Sequence, residues 1–153
     1  MTDYRPRLFA SDADIEHVGE RFLARALPKE EWTHEAHLAT TTWLLLRRPQ
    51  IDVDRELPGL IRRYNESVGG VNSDTEGYHE TITLASIAAA RAVLESRPAS
   101  EPLHEVLDRL MAGPLGRSDW PLAYWTKARL FSPAARLGWL EPDLQPFDAE
   151  VFS

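Results

Sequence analysis

The sequence predicts an all-α fold: a single-domain bundle of about five helices whose aromatic, Pro-rich C-terminal segment covers one end. Three observations carry this. Apolar residues recur at three- and four-residue spacing in five separate stretches, most of those stretches begin at a capping side chain and stop at Gly or Pro, and no stretch sustains the period-two alternation of a half-buried strand. Residues 11–112 form the bundle and residues 113–153 the cover, within one domain spanning 1–153.

The first helix starts at Ser11 or Asp12, with Asp14 and Glu16 suited to its positive end, and carries Ile15, Val18, Phe22 and Ala26 inward until Pro28 stops it. Thr33 caps the second, which places Ala36, Ala39, Trp43 and Leu46 along one side and ends in a basic turn at Pro49. The third runs from Asp54 to the Gly69-Gly70 stop, with Leu57, Leu60, Ile61, Tyr64 and Val68 in phase and Pro58 tolerable only near the first turn. After the turn-forming VNSDTEG, the stretch TITLASIAAARAVLES reads as a long helix whose small residues allow close approach, hence a central one that stops before Pro98. Ser100 is the expected cap of the fifth helix, with Leu103, Val106, Leu107, Leu110 and Met111 facing in and Gly113-Pro114 ending it. Beyond it, Trp120, Trp125 and Trp139 mark a change of character, with one short helix signalled by Ser132 as cap, Pro133 and Gly138.

A chain of 153 residues buries about 70 % of the surface its unfolded form exposes. It needs no internal staple. With no Cys, disulfides, thiolate metal sites and Cys nucleophiles are excluded, and a reducing cytoplasm suits the composition. The N-terminus lacks the apolar core of a signal peptide, and the longest apolar run, Trp43 to Leu46, is far too short to span a bilayer, so the expectation is a cytoplasmic, soluble protein without a membrane partner. Twenty-four acidic against 17 basic residues give a net charge of −7, which repels a phosphate backbone and argues against nucleic acid. No Ser occupies a nucleophile elbow, and Gly69-Gly70 lacks the strand and Lys of a phosphate loop.

Of five His, three fall in WTHEAHL (His34, His37) and EGYHET (His79). Residues three apart on a helix have Cβ atoms about 5 to 6 Å apart, so His34 and His37 can converge on one ligand. In an up-and-down bundle the second and fourth helices run the same way, which gathers all three His at one end, and the fifth helix delivers the aromatic segment with Trp125, Lys127 and Arg129 over that opening. Thr41 follows His37 at i+4, while Thr83 and Ser86 follow His79 at i+4 and i+7. Polar groups on otherwise apolar helices call for solvent, one another, ordered water or a ligand. His17 and His104 sit at ordinary helix positions and read as solvated.

Several chemistries fit these residues. His34, His37 and His79 could hold a divalent zinc, iron or manganese ion, with Glu76 or Glu80 as an oxygen donor. The Glu-x-x-His spacings at Glu31 and Glu76 do not make a di-iron site, since no further pair of bridging Glu appears. A His could instead work in acid/base chemistry with Glu35, Tyr78 or Glu80 on a small molecule. The same pocket could capture a small, anionic ligand through Thr41, Thr83, Trp125, Lys127, Arg129 and the helix N-termini. A purely structural role for the His cluster stands beside these, because Glu35, Glu76 and Glu80 are ordinary choices near helix starts.

The segments WTHEAHL, GYHETIT and RLFSPAARLGWLEPDL, as a set and in this order, resemble a group of small bacterial helical proteins of uncharacterised function, over most of the chain. The resemblance implies that His34, His37, Tyr78, His79, Glu80 and Thr81 belong to shared motifs; it brings no activity, cofactor or partner. A looser similarity connects the chain to the DinB-like bundles, which hold a metal with three His.

Overall fold

Ser11 accepts the Asp14 amide at 3.3 Å and opens α1, Asp12–Leu23, in a computed structural model that describes residues 9–153. Residues 1–8, part of the stretch read as lacking a signal peptide, lie outside the described residues. α1 ends at Leu23, five residues before the expected Pro28: Arg25 adopts a left-handed φ of 56°, and the Ala26 amide turns back to the Arg21 carbonyl. Gly19 sets the approach of α1 to α2, since a Cβ there would lie 2.3 Å from the Trp43 ring.

α2, His34–Arg47, is capped by Thr33, and α3, Val53–Ser67, by Asp52, whose own amide donates to Glu56. Pro58 therefore stands in the second turn of α3, not the first. Gly69, at φ 86°, and the Gly70 amide bonded to the Asn65 carbonyl end α3 where the sequence places the stop. α4, Glu80–Glu95, is capped by an imidazole, that of His79. α2 packs against α1, α3, α4 and α5, and α4 against α2, α3, α5 and the C-terminal segment, so both are central.

α5, Leu103–Ala112, departs from expectation at its start. Ser100 does not cap it, and its cap residue, Pro102, offers no side-chain acceptor. The acceptor comes from α1: Asp12 receives the Leu103 and His104 amides at 3.3 and 2.8 Å. His104 is consequently not a free surface residue, because its Nδ1 lies 2.7 Å from the same carboxylate.

Past residue 113 the chain forms short turns, α6 at Lys127–Leu130 and α7 at Pro133–Leu137, the latter capped by Ser132 as expected. Trp120, Tyr124, Trp125, Phe147 and Phe152 cluster with ring centroids 5.4 to 6.4 Å apart. Trp125 is wholly buried, whereas Trp139 is 39 % exposed at the edge of the cluster. The described residues contain no strand, and no helix among them is long and apolar enough to cross a membrane.

The Asp12 carboxylate is held below its ordinary value of 3.8: burial pushes it up, but bonds from His104 and Leu103 outweigh that. His104 is raised above 6.5, first by its hydrogen bond to Asp12. Stability from the depressed carboxyl is present above 3.8 and lost as pH falls through its folded value; stability from the raised imidazole is present below 6.5 and lost as pH climbs through its folded value. Both are complete only between those limits. Urea midpoints measured from pH 3 to 9 should peak in that window, and Asp12→Ala should flatten the peak and cost about 1 kcal/mol through the lost cap.

Candidate functional site

The starts of α2 and α4 do lie at one end of the bundle, and a cavity of about 620 Å³ opens there between α2, α3, α4 and the loop that follows Gly69. His37, His79 and Tyr78 line it with Trp32, Tyr64 and Asn65. A smaller chamber of about 80 Å³ adjoins it, lined by His34, Thr41, Ser86, Ser118 and Trp120 among others. His37, Ile61, Ile82 and Thr83 line both and so mark the junction.

The three imidazoles are near one another but serve different ends. At His79, Nδ1 accepts the Ile82 amide at 3.1 Å as the cap of α4, and Nε2 donates to the Leu130 carbonyl at 2.6 Å. Both nitrogens are spent, and the ring is a single neutral tautomer, Nε2–H. Burial keeps its pKa below 6.5, with Arg136 adding to the effect and the bond to Leu130 opposing it. At His34, Nε2 donates to the Leu115 carbonyl at 2.7 Å. The first residues of α2 and α4 are thus pinned to the backbone of the C-terminal segment, as is Thr81, whose hydroxyl reaches the carbonyls of Ala135 and Gly138.

His37 differs. Its ring stacks on Trp32 with centroids 3.9 Å apart, and Trp32 stacks in turn on Phe22 at 4.5 Å. Neither ring nitrogen finds a hydrogen-bond partner among the described residues. Burial, then repulsion from His34, lowers its pKa to about 3, so the ring is neutral across the physiological range and presents one N–H and one lone pair. The Trp32 Nε1–H is also buried without a partner among the described residues.

Among the described residues, no three His, Asp or Glu side chains are grouped so that they could hold a metal ion. His79 would have to release the Leu130 carbonyl or its cap to turn a nitrogen toward one, whereas at His34 only Nε2 is engaged. Of the acid/base candidates, the Tyr78 hydroxyl donates to Glu80 at 2.5 Å with the Arg62 guanidinium 4.3 Å from its ring. Burial foremost, then Glu80, holds the phenol protonated far above its ordinary value. Glu35 is buried on α2 but lines neither chamber.

The structure brings Thr41 and Thr83 to the site and leaves three of the expected ligand-binding residues away from it. Trp125 is buried in the aromatic cluster and donates Nε1 to the Leu140 carbonyl at 2.8 Å. Arg129 donates to the Glu141 carbonyl and Lys127 is exposed at the start of α6. The C-terminal segment reaches the chamber through Ser118 and Trp120 instead. Sequence reasoning also missed Trp32, Tyr64 and Asn65; the one available signal was the placement of Trp32 immediately before the Thr33 cap and five residues from His37.

A larger and more apolar cavity, about 730 Å³, lies beyond Trp120 against α5 and the C-terminal turn Ala149–Phe152. Its arginines are already engaged, Arg109 with Glu101 and Arg117 with Asp119. It contains no imidazole.

No protein-family model, curated protein or solved structure matches the chain. Because His79 carries both a cap and a tie to the cover, His79→Ala should lose about 2 to 4 kcal/mol in urea unfolding, the sum of a lost cap and a stranded buried carbonyl. His79→Asn, which restores a capping acceptor only, should recover about 1 kcal/mol of that.

Proposed function

We propose that the chain binds a small organic molecule in the paired cavity between α2, α3 and α4, with His37 as the group that hydrogen-bonds it. The observation that carries this reading is the unmet hydrogen-bonding capacity of the His37 ring at the junction of the two chambers. The Trp32 Nε1–H in the same cavity wall is buried without a partner among the described residues, which costs about 1 to 3 kcal/mol that a ligand's acceptor offsets. Trp32, Tyr64 and Tyr78 supply flat apolar walls, and a volume of about 620 Å³ is in the range of small-molecule sites. An imidazole with a pKa of about 3 is a weak base, which favours recognition over proton abstraction as the role of His37.

The test uses benzyl alcohol, a one-ring probe that can both donate and accept. The five Trp give five indole N–H resonances, and those of Trp32 and Trp120 should move on titration. His37→Leu should weaken the probe about fivefold, the worth of one hydrogen bond. Unmoved Trp32 and Trp120 resonances, or equal affinity in the variant, would overturn the reading. Dialysis against a chelator should leave the Tm unchanged; a Tm that fell and recovered with zinc would favour a metal role for the His cluster instead.

A further inference from the structure

The walls of the inner chamber have spent most of their protons elsewhere. The Thr41 hydroxyl donates to the His37 carbonyl at 2.8 Å, and the Ser86 hydroxyl donates to the Ile82 carbonyl at 2.7 Å. The Tyr78 hydroxyl gives its proton to Glu80, so the Thr83 hydroxyl bonded to that phenol is itself the donor. The Nε2–H of His34 is taken by Leu115. The lone pairs of the Thr41 and Ser86 oxygens remain, with the lone pair of the neutral His37 ring. Against them stand the single N–H of His37, the hydroxyl of Ser118 and the indole N–H of Trp120.

The helix starts do not reverse this balance. An anion at a helix N-terminus needs free amides facing it, and of the first three residues of α2 and of α4 only His34 and Ile82 line a chamber, the Ile82 amide being taken by His79. Lys127 and Arg129, the cations expected over the opening, are not there. The chamber also places the Trp120 ring in its wall, a surface that tolerates a cation and not an anion.

From this proton inventory we infer that the inner chamber selects a compact hydrogen-bond-donating head group, an amino group carried by an aromatic or apolar body, and rejects carboxylates and phosphates. The inference rests on the small-molecule reading above and adds the polarity of the ligand. Thr41 and Ser86 determine the specificity as acceptors, and His37 provides a third contact at the junction. The amino group is that of a primary ammonium or of a neutral carboxamide; the two share the same donor chemistry.

Benzylamine, benzamide and benzoate share one ring and differ in the head group, and benzyl alcohol serves as the reference probe. Titrated at pH 7.5 against the intact protein, benzylamine or benzamide should bind at least tenfold more tightly than benzoate. Benzylamine ahead identifies the ammonium, and benzamide ahead the neutral amide; either supports the inference. Thr41→Val, which keeps the side-chain shape, and Ser86→Ala, which suits a helix, should each weaken the preferred probe about fivefold while far-ultraviolet circular dichroism stays unchanged. Benzoate binding as tightly as the amine and amide, or a head-group preference unaltered in both variants, overturns the inference while benzyl alcohol binding keeps the pocket. If none of the four probes binds, the pocket reading itself fails, and this inference with it.

Discussion

One neutral imidazole holds the two halves of the domain together. The C-terminal segment has few regular elements, so many of its buried carbonyls lack the partners a helix ladder would supply, and they must find donors on the bundle. His79 meets that need at Leu130 while its other nitrogen begins α4, the helix against which α2, α3, α5 and the final turn all pack. The arrangement works in one tautomer only. His34 at Leu115 and Thr81 at Ala135 and Gly138 repeat the pattern, so the polar start of each central helix is attached to the cover and the cavity beside them gains a fixed wall.

This division of labour gives the three imidazoles different tasks in spite of their proximity. His79 is structural through both nitrogens, a demand opposite to that of a metal, which needs a free lone pair, and His34 is tied to the cover through Nε2. The third ring, His37, is held by stacking and not by hydrogen bonds, which fixes its plane between Trp32 and the junction without using its nitrogens. Beside it the Trp32 Nε1–H is buried without a partner among the described residues. That contrast within a single cluster distinguishes the site from its surroundings.

Local signals in the sequence were enough for most of the helices. Ser11, Thr33 and Ser132 cap as their positions demand, Gly69-Gly70 ends α3, and Trp43, Tyr64 and Leu107 fall in the core that their spacing requires. The start of α5 was not legible because its cap arrives from Asp12, 91 residues away, and nothing near Ser100 reveals that. The polar stripe was found but its hydroxyls were misjudged. Thr41 and Ser86 bond carbonyls of their own helices four residues back, an option that needs neither ligand nor water and that turns potential donors into acceptors. Lys127 and Arg129 were expected at the site on topology alone; the chain instead turns there in a short helix whose direction no periodicity announces.

The bond between Asp12 and the first amides of α5 also orders events during synthesis. The carboxylate is made about ninety residues before the α5 amides it receives, so until the fifth helix follows, its partner is Arg47 of α2. A twelve-residue helix has little stability of its own in water. A ribosome working from the N-terminus thus displays a bundle that cannot close α1 against α5 until two thirds of the chain has been translated, and a stall before residue 103 leaves α1 without that neighbour.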